Sequence, residues 1–122
     1  MNKWINWFEI PAADFDRANK FYSSVMGIEL YVMEMMGTKM GIFPTADNES
    51  GGAIVHGDDY APSMTGTTVY LNGGADLSGA LGKVEPNGGK VIVPKTHIGD
   101  GMGYFAMFID TEGNKVALHS IK

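Results

Sequence analysis

From Trp4 to Ile10 apolar and polar residues alternate, the period-two pattern of a half-buried strand, and Pro11 ends it because proline cannot donate to a ladder. Phe15, Ala18, Phe21, Tyr22 and Val25 then recur at helical spacing, which predicts a helix capped by Asp14 and closed by Gly27 in a left-handed conformation. Three strands are expected next, over residues 28–35, 39–43 and 52–56, separated by Gly37 and the polar stretch 45–50. A strand over 67–71 follows. After it Asp76 and Leu77 open a weaker helix, carried by Ala80, Leu81 and Val84 and stopped by Pro86 and Gly88-Gly89. Strands over 90–94, 103–109 and 115–120 complete the pattern, the last two joined by the tight turn 110–114.

The order strand, helix, three strands has therefore occurred twice. Asp14-Phe15 matches Asp76-Leu77, Gly27 matches Gly88 and His56 matches His119, each pair roughly 61 to 63 residues apart. The 122 residues are enough for one shared core, so the expectation is a single α+β domain over 1–122. Its first βαβββ module covers about 1–60 and its second about 64–122, with residues 58–63 as the link.

Charge narrows the partners. A formal charge of −5 without a long acidic or basic block argues against nucleic acid and against an anionic membrane, and leaves a neutral or cationic small molecule as the easier ligand. The chain has no cysteine, hence no disulfide, thiolate nucleophile or thiolate-held metal. The alternating residues 1–10 lack the apolar run of a signal peptide or membrane span, and a cytoplasmic location is expected. Ser120 beside His119 points to the opposite face of its strand, so no serine hydrolase arrangement is supported.

Certain segments carry more than periodicity: Phe8-Glu9-Ile10-Pro11, Asp14-Phe15-Asp16-Arg17-Ala18, Phe21-Tyr22, Met26-Gly27, and Phe108-Ile109-Asp110-Thr111-Glu112-Gly113-Asn114. Together with the repeat, these resemble the vicinal oxygen chelate superfamily, which includes glyoxalase, extradiol dioxygenases and bleomycin-resistance proteins. The resemblance implies that each half curls into a cup and that the paired cups form an incompletely closed barrel around a cavity. It also implies that metal-using members place histidine, glutamine or glutamate ligands on the first and last strands of each unit. By position those places fall at Trp7, Ile54, Thr68 and Ala117, none of which supplies such a ligand. No cofactor is then expected, and metal-dependent lactoylglutathione lyase activity, which needs a metal to stabilise an enediolate, is expected to be absent. The four residues, with Tyr70, are expected to line a ligand pocket instead.

Strand alternation sets a polar tier beyond those positions: Glu9, His56, Tyr70 and His119. Three readings stay open for it. Glu9 with His119 and His56 could perform metal-free acid and base catalysis; Glu9, His56 and His119 could hold a displaced divalent metal; or the histidines could be ordinary strand-end residues. His97 lies in the glycine-rich stretch 95–103, read as a loop at the cavity rim, and Met33, Met35, Met36 and Met40 are either core filler or an adaptable lining. The functional expectation is a glyoxalase-like small-molecule-binding protein, with a lyase or isomerase step in prospect. The alternative is a bleomycin-resistance-like protein that sequesters a drug or metabolite without catalysis. A homodimer is expected from the resemblance to small superfamily members, with Tyr60 of the link within reach of the partner.

Overall fold

The structure is a computed structural model that describes residues 4–47 and 49–122; the pattern read at residues 1–3 and the polar position Asn48 lie outside the described residues. The first half contains β1 (Trp7–Pro11), α1 (Phe15–Met26), β2 (Tyr31–Met35), β3 (Thr38–Ile42) and β4 (Gly51–His56). The second contains β5 (Tyr70–Asn72), α2 (Ser78–Leu81), a 3₁₀ turn (Glu85–Asn87), β6 (Lys90–Gly99), β7 (Gly103–Ile109) and β8 (Lys115–Ser120). Each half builds a four-stranded mixed sheet of the same topology, β1-β4-β3-β2 and β5-β8-β7-β6, with the first and last strands paired in parallel. The sheets do not close into a barrel, so β1 and β5 each keep one unpaired edge.

Helix α1 forms where the spacing of apolar residues requires it. Asp14 accepts the backbone N–H of Arg17 at 3.1 Å, a cap worth about 1 kcal/mol, and Gly27 ends the helix at φ 65°. Its buried face, Phe15, Ala18, Phe21, Tyr22 and Val25, packs into a core that both halves share with Ile10, Ile54, Leu71, Leu77, Val84, Phe108, Val116 and Leu118. Phe21 meets Phe108 at 5.8 Å between ring centroids, joining the first-half helix to the second-half sheet. Burying each of these large side chains stabilises the fold by about 2 kcal/mol.

The sequence motif 108–114 turns out to be a latch. Tyr22 donates its hydroxyl to Asp110 Oδ2 at 2.6 Å in the core, while Asp110 Oδ1 accepts the backbone N–H groups of Glu112 and Asn114. Burial first, and then the adjacent Asp110 carboxylate, raise the Tyr22 phenol well above its ordinary pKa, so it stays a donor. Asn114 Nδ2 donates to the Pro11 carbonyl at 2.7 Å, and Asn114 Oδ1 accepts the N–H of Ser63 at 3.1 Å. One turn of the second half thus holds the end of β1, helix α1 and the link between halves.

Glu112 extends the latch. Its carboxylate, on a buried side chain, takes the Arg17 guanidinium at 2.7 Å and the N–H of Asp14 at 2.7 Å. Burial alone would raise its pKa, but Arg17, the Asp14 N–H and the Thr111 hydroxyl outweigh that and hold it below the ordinary value. A depressed carboxylate adds stability above its unfolded-state pKa and loses it as pH falls through the folded value. Urea titrations are therefore expected to show Glu112→Gln less stable than wild type at neutral pH, with the gap closing in acid. A constant gap across pH would assign the loss to packing alone.

Several expectations about the elements change. Strand β6 runs on to Gly99 through register shifts, so residues 95–99 are strand, His97 lies 5.1 Å from the Tyr104 ring, and the turn is confined to the hairpin between Gly99 and Gly103. Strand β1 starts at Trp7 rather than Trp4, and it ends at Pro11 as read, the proline being tolerated because that strand is an edge. Strands β2 and β5 begin at Tyr31 and Tyr70, each three residues later than read.

Candidate functional site

Register and burial assign the two faces of each sheet. Ile10 and its partner Ile54 lie in the core beneath α1, so Trp7, Glu9 and Pro11 face the other way with their partners Gly51, Ala53 and Val55. In the second half Leu71, Val116 and Leu118 lie in the core, leaving Tyr70 and Asn72 on the opposite face with their partners Ala117 and His119. These core-averted faces are the ones the sequence reading assigned to the cup.

Ile54 is therefore misplaced in the sequence reading: it is fully buried on the helix side, against Leu30 and Gly41. Glu9 pairs with Ala53 just as Tyr70 pairs with Ala117, so the repeat itself makes Ala53 the counterpart of Ala117. The error has a physical cause. Ala53, Ile54 and Val55 are all buried, and a strand covered on both faces shows no alternation from which parity could be read. His56 shares Ile54's face and donates Nδ1–H to the Ala12 carbonyl at 2.9 Å, since a carbonyl can only accept. Val55, not His56, occupies the fourth place of the second tier.

A cleft of about 770 Å³ runs between the free edges of β1 and β5. Trp7, Glu9, Thr68 and Tyr70 line it, together with Ala61, Ser63 and Lys115 from outside the expected set. Ala117, expected in the pocket, is instead buried between its register partners Tyr70 and Met107 and is not part of the cleft's lining. Trp7, 44% exposed, lies beside its register partner Gly51. Its Nε1–H donates to Glu9 Oε2 at 3.3 Å, and the Tyr60 hydroxyl donates to Glu9 Oε1 at 2.9 Å. The bond to Glu9, and then the carboxylate's charge, raise the Tyr60 phenol above its ordinary value. Each carboxylate oxygen thus has one neutral donor, which orients Glu9 without cancelling its charge.

His119 is not in this cleft. It lines a separate, open depression of about 620 Å³ with Tyr70, Asn72 and Ser120, and its Nε2–H donates to the Met102 carbonyl at 2.8 Å. The structure therefore does not gather Glu9, His56 and His119, and among the described residues no three His, Cys, Asp or Glu side chains are placed to hold a metal. The positions from which the resemblance would draw ligands are Trp7, Ala53, Thr68 and Ala117, an indole, two methyl groups and a hydroxyl. That donor set does not fit a divalent ion. By register Met33, Met35 and Met40 are on the core-averted face of the first sheet, outside the lining of the cleft, and Met36 stands in the β2–β3 turn.

Tyr60 and Lys115 were missed because their roles depend on long-range placement. Tyr60 was read as part of the link, within reach of a partner subunit, and it reaches Glu9 within the same chain across 51 positions of sequence. Among the described residues no helix is long and apolar enough to cross a membrane.

Comparison with known proteins agrees with this fold. A family model described as the Glyoxalase/Bleomycin resistance protein/Dioxygenase superfamily matches residues 4–118. A "Glyoxylase-like domain-containing protein" of Didymella fabae is 32% identical over 118 residues, covering 93% of this chain and 91% of that one. Among solved structures, the E144Q mutant of Zea mays glyoxalase I superimposes with a TM-score of 0.71 at 18% identity over 94% of this chain; the chain spans 46% of the maize protein. The trypanothione-dependent glyoxalase I of Leishmania major gives 0.69 at 12% identity, covering 98% of this chain and 88% of that one.

Proposed function

The chain belongs to the glyoxalase/bleomycin resistance protein/dioxygenase superfamily, and we propose that it binds a small organic molecule in the β1–β5 cleft without a resident metal. The observation that carries this reading is the pairing, inside one cleft, of an accessible indole at one of the superfamily's ligand positions and an oriented carboxylate in the tier beyond it. Trp7 offers a face for planar or cationic groups, and Glu9 fixes orientation. Removing the indole by Trp7→Ala should weaken binding about tenfold or more, the usual effect of deleting an aromatic anchor. A thermal-shift and calorimetric screen of cationic glycopeptides and planar aromatics tests it. Equal affinity in wild type and Trp7→Ala would remove the cleft as the site.

Turnover separates sequestration from an isomerase or lyase. Glu9 faces the cleft and could move a proton between carbons beside a substrate carbonyl, so product formation lost in Glu9→Gln favours catalysis. Stoichiometric binding without product favours sequestration. A homodimer is proposed on the exposed apolar residues Tyr31, Val32 and Met35 of the edge strand β2, and the same preparation should sediment as a dimer.

A further inference from the structure

Of the side chains lining the cleft, only Glu9 and Lys115 are charged, and among the described residues neither forms an ion pair. Glu9 receives two neutral donors and keeps both its charge and unused lone pairs. Lys115 opens β8 on the same face as Ala117, with its ammonium unclaimed by any hydrogen bond among the described residues.

Both groups are tied to the same latch. Asn114, immediately before Lys115, is bonded to the carbonyl of Pro11, two residues beyond Glu9 on β1. The same Asn114 holds the N–H of Ser63, three residues beyond the Tyr60 that orients Glu9. The latch that docks the two halves thus sets an unpaired carboxylate on one wall and an unpaired ammonium on another.

We propose that the ligand is amphoteric: a small amino-carboxylate with an apolar, preferably aromatic, body. Its ammonium seats on Glu9, its carboxylate on Lys115, and its body against Trp7. A neutral ligand would strip water from both wall charges and return nothing, and a singly charged one would satisfy one wall while facing a like charge on the other. Only a molecule carrying both signs answers both. This inference rests on the cleft being the ligand site.

The test uses Trp4→Phe protein, in which Trp7 is the one remaining indole, titrated by fluorescence. Phenylalanine and 4-(aminomethyl)benzoate, with short and long charge separation, are compared with phenethylamine, 3-phenylpropanoate and 3-phenylpropanol. At least one of the first two is expected to bind tenfold or more tightly than the last three. Glu9→Gln and Lys115→Met, checked for unchanged thermal midpoints, are each expected to erase that preference. Equal binding of all five probes, or an unaltered preference in Lys115→Met, overturns the amphoteric ligand and leaves the cleft standing. Silence of Trp7 toward every probe counts against both.

Discussion

Asp110→Ala is expected to lower the free energy of unfolding by about 4 kcal/mol, because it strands several buried donors at once, each costing about 1–3 kcal/mol when unsatisfied, with partial relief from local water entry. The donors are the Tyr22 hydroxyl, the backbone N–H groups of Glu112 and Asn114, and one hydrogen of Asn114 Nδ2. Asn114 would lose its anchor, and with it the bonds to Pro11 and Ser63 that fix the end of the cleft. Chemical denaturation measures the loss. The double variant Tyr22→Phe/Asp110→Ala removes one stranded donor and should be less destabilised than the sum of its parts. Strict additivity would mean that Tyr22 and Asp110 are not coupled, contrary to the 2.6 Å bond between them.

Gly103→Ala is the second large effect expected, a loss of about 3 kcal/mol from positive φ combined with overpacking. Gly103 adopts φ 82°, and an added Cβ would lie 2.3 Å from the Ser120 carbonyl oxygen and 2.9 Å from the Ile121 Cα. Those are backbone atoms, which cannot swing aside as a side chain would. Gly101 is the control. It has φ 76° with nothing within 4 Å, so Gly101→Ala should cost only the conformational part, about 1 kcal/mol. Thermal unfolding of the two variants isolates the clash by difference. The neighbouring Met102 carbonyl accepts from His119, so the His119 ring resonances should move in Gly103→Ala more than in Gly101→Ala. Identical midpoints for both variants would refute the clash.

Much of the fold was legible because each half repeats the same local instructions. The spacing from Phe15 to Val25 between Asp14 and Gly27 can only be buried as a helix, and the alternation around Trp7 and Glu9 fixes which side of β1 faces the cup. The motif from Phe108 to Asn114 was legible as a marker of fold, while its physical task, bonding Tyr22, Pro11 and Ser63 across the molecule, was not. Parity failed at Ile54 and His56 for the reason that the strand carries apolar residues on both faces. The stretch 95–99 read as loop because glycine punctuates both turns and bulges, and only pairing with β7 distinguishes them.

The sequence alone determined the doubled βαβββ order, the absence of thiol chemistry, and the lack of ligand-type residues at Trp7, Thr68 and Ala117, because these depend on local periodicity and residue identity. Tertiary structure decided that Ala53 is the fourth of those positions, that His119 stands apart from Glu9, that Tyr60 bonds Glu9, and that Lys115 shares its cleft. Those outcomes depend on register and on how the latch docks one half against the other. Both are set by the summed packing and hydrogen bonding of residues far apart in the chain, which no window of sequence contains.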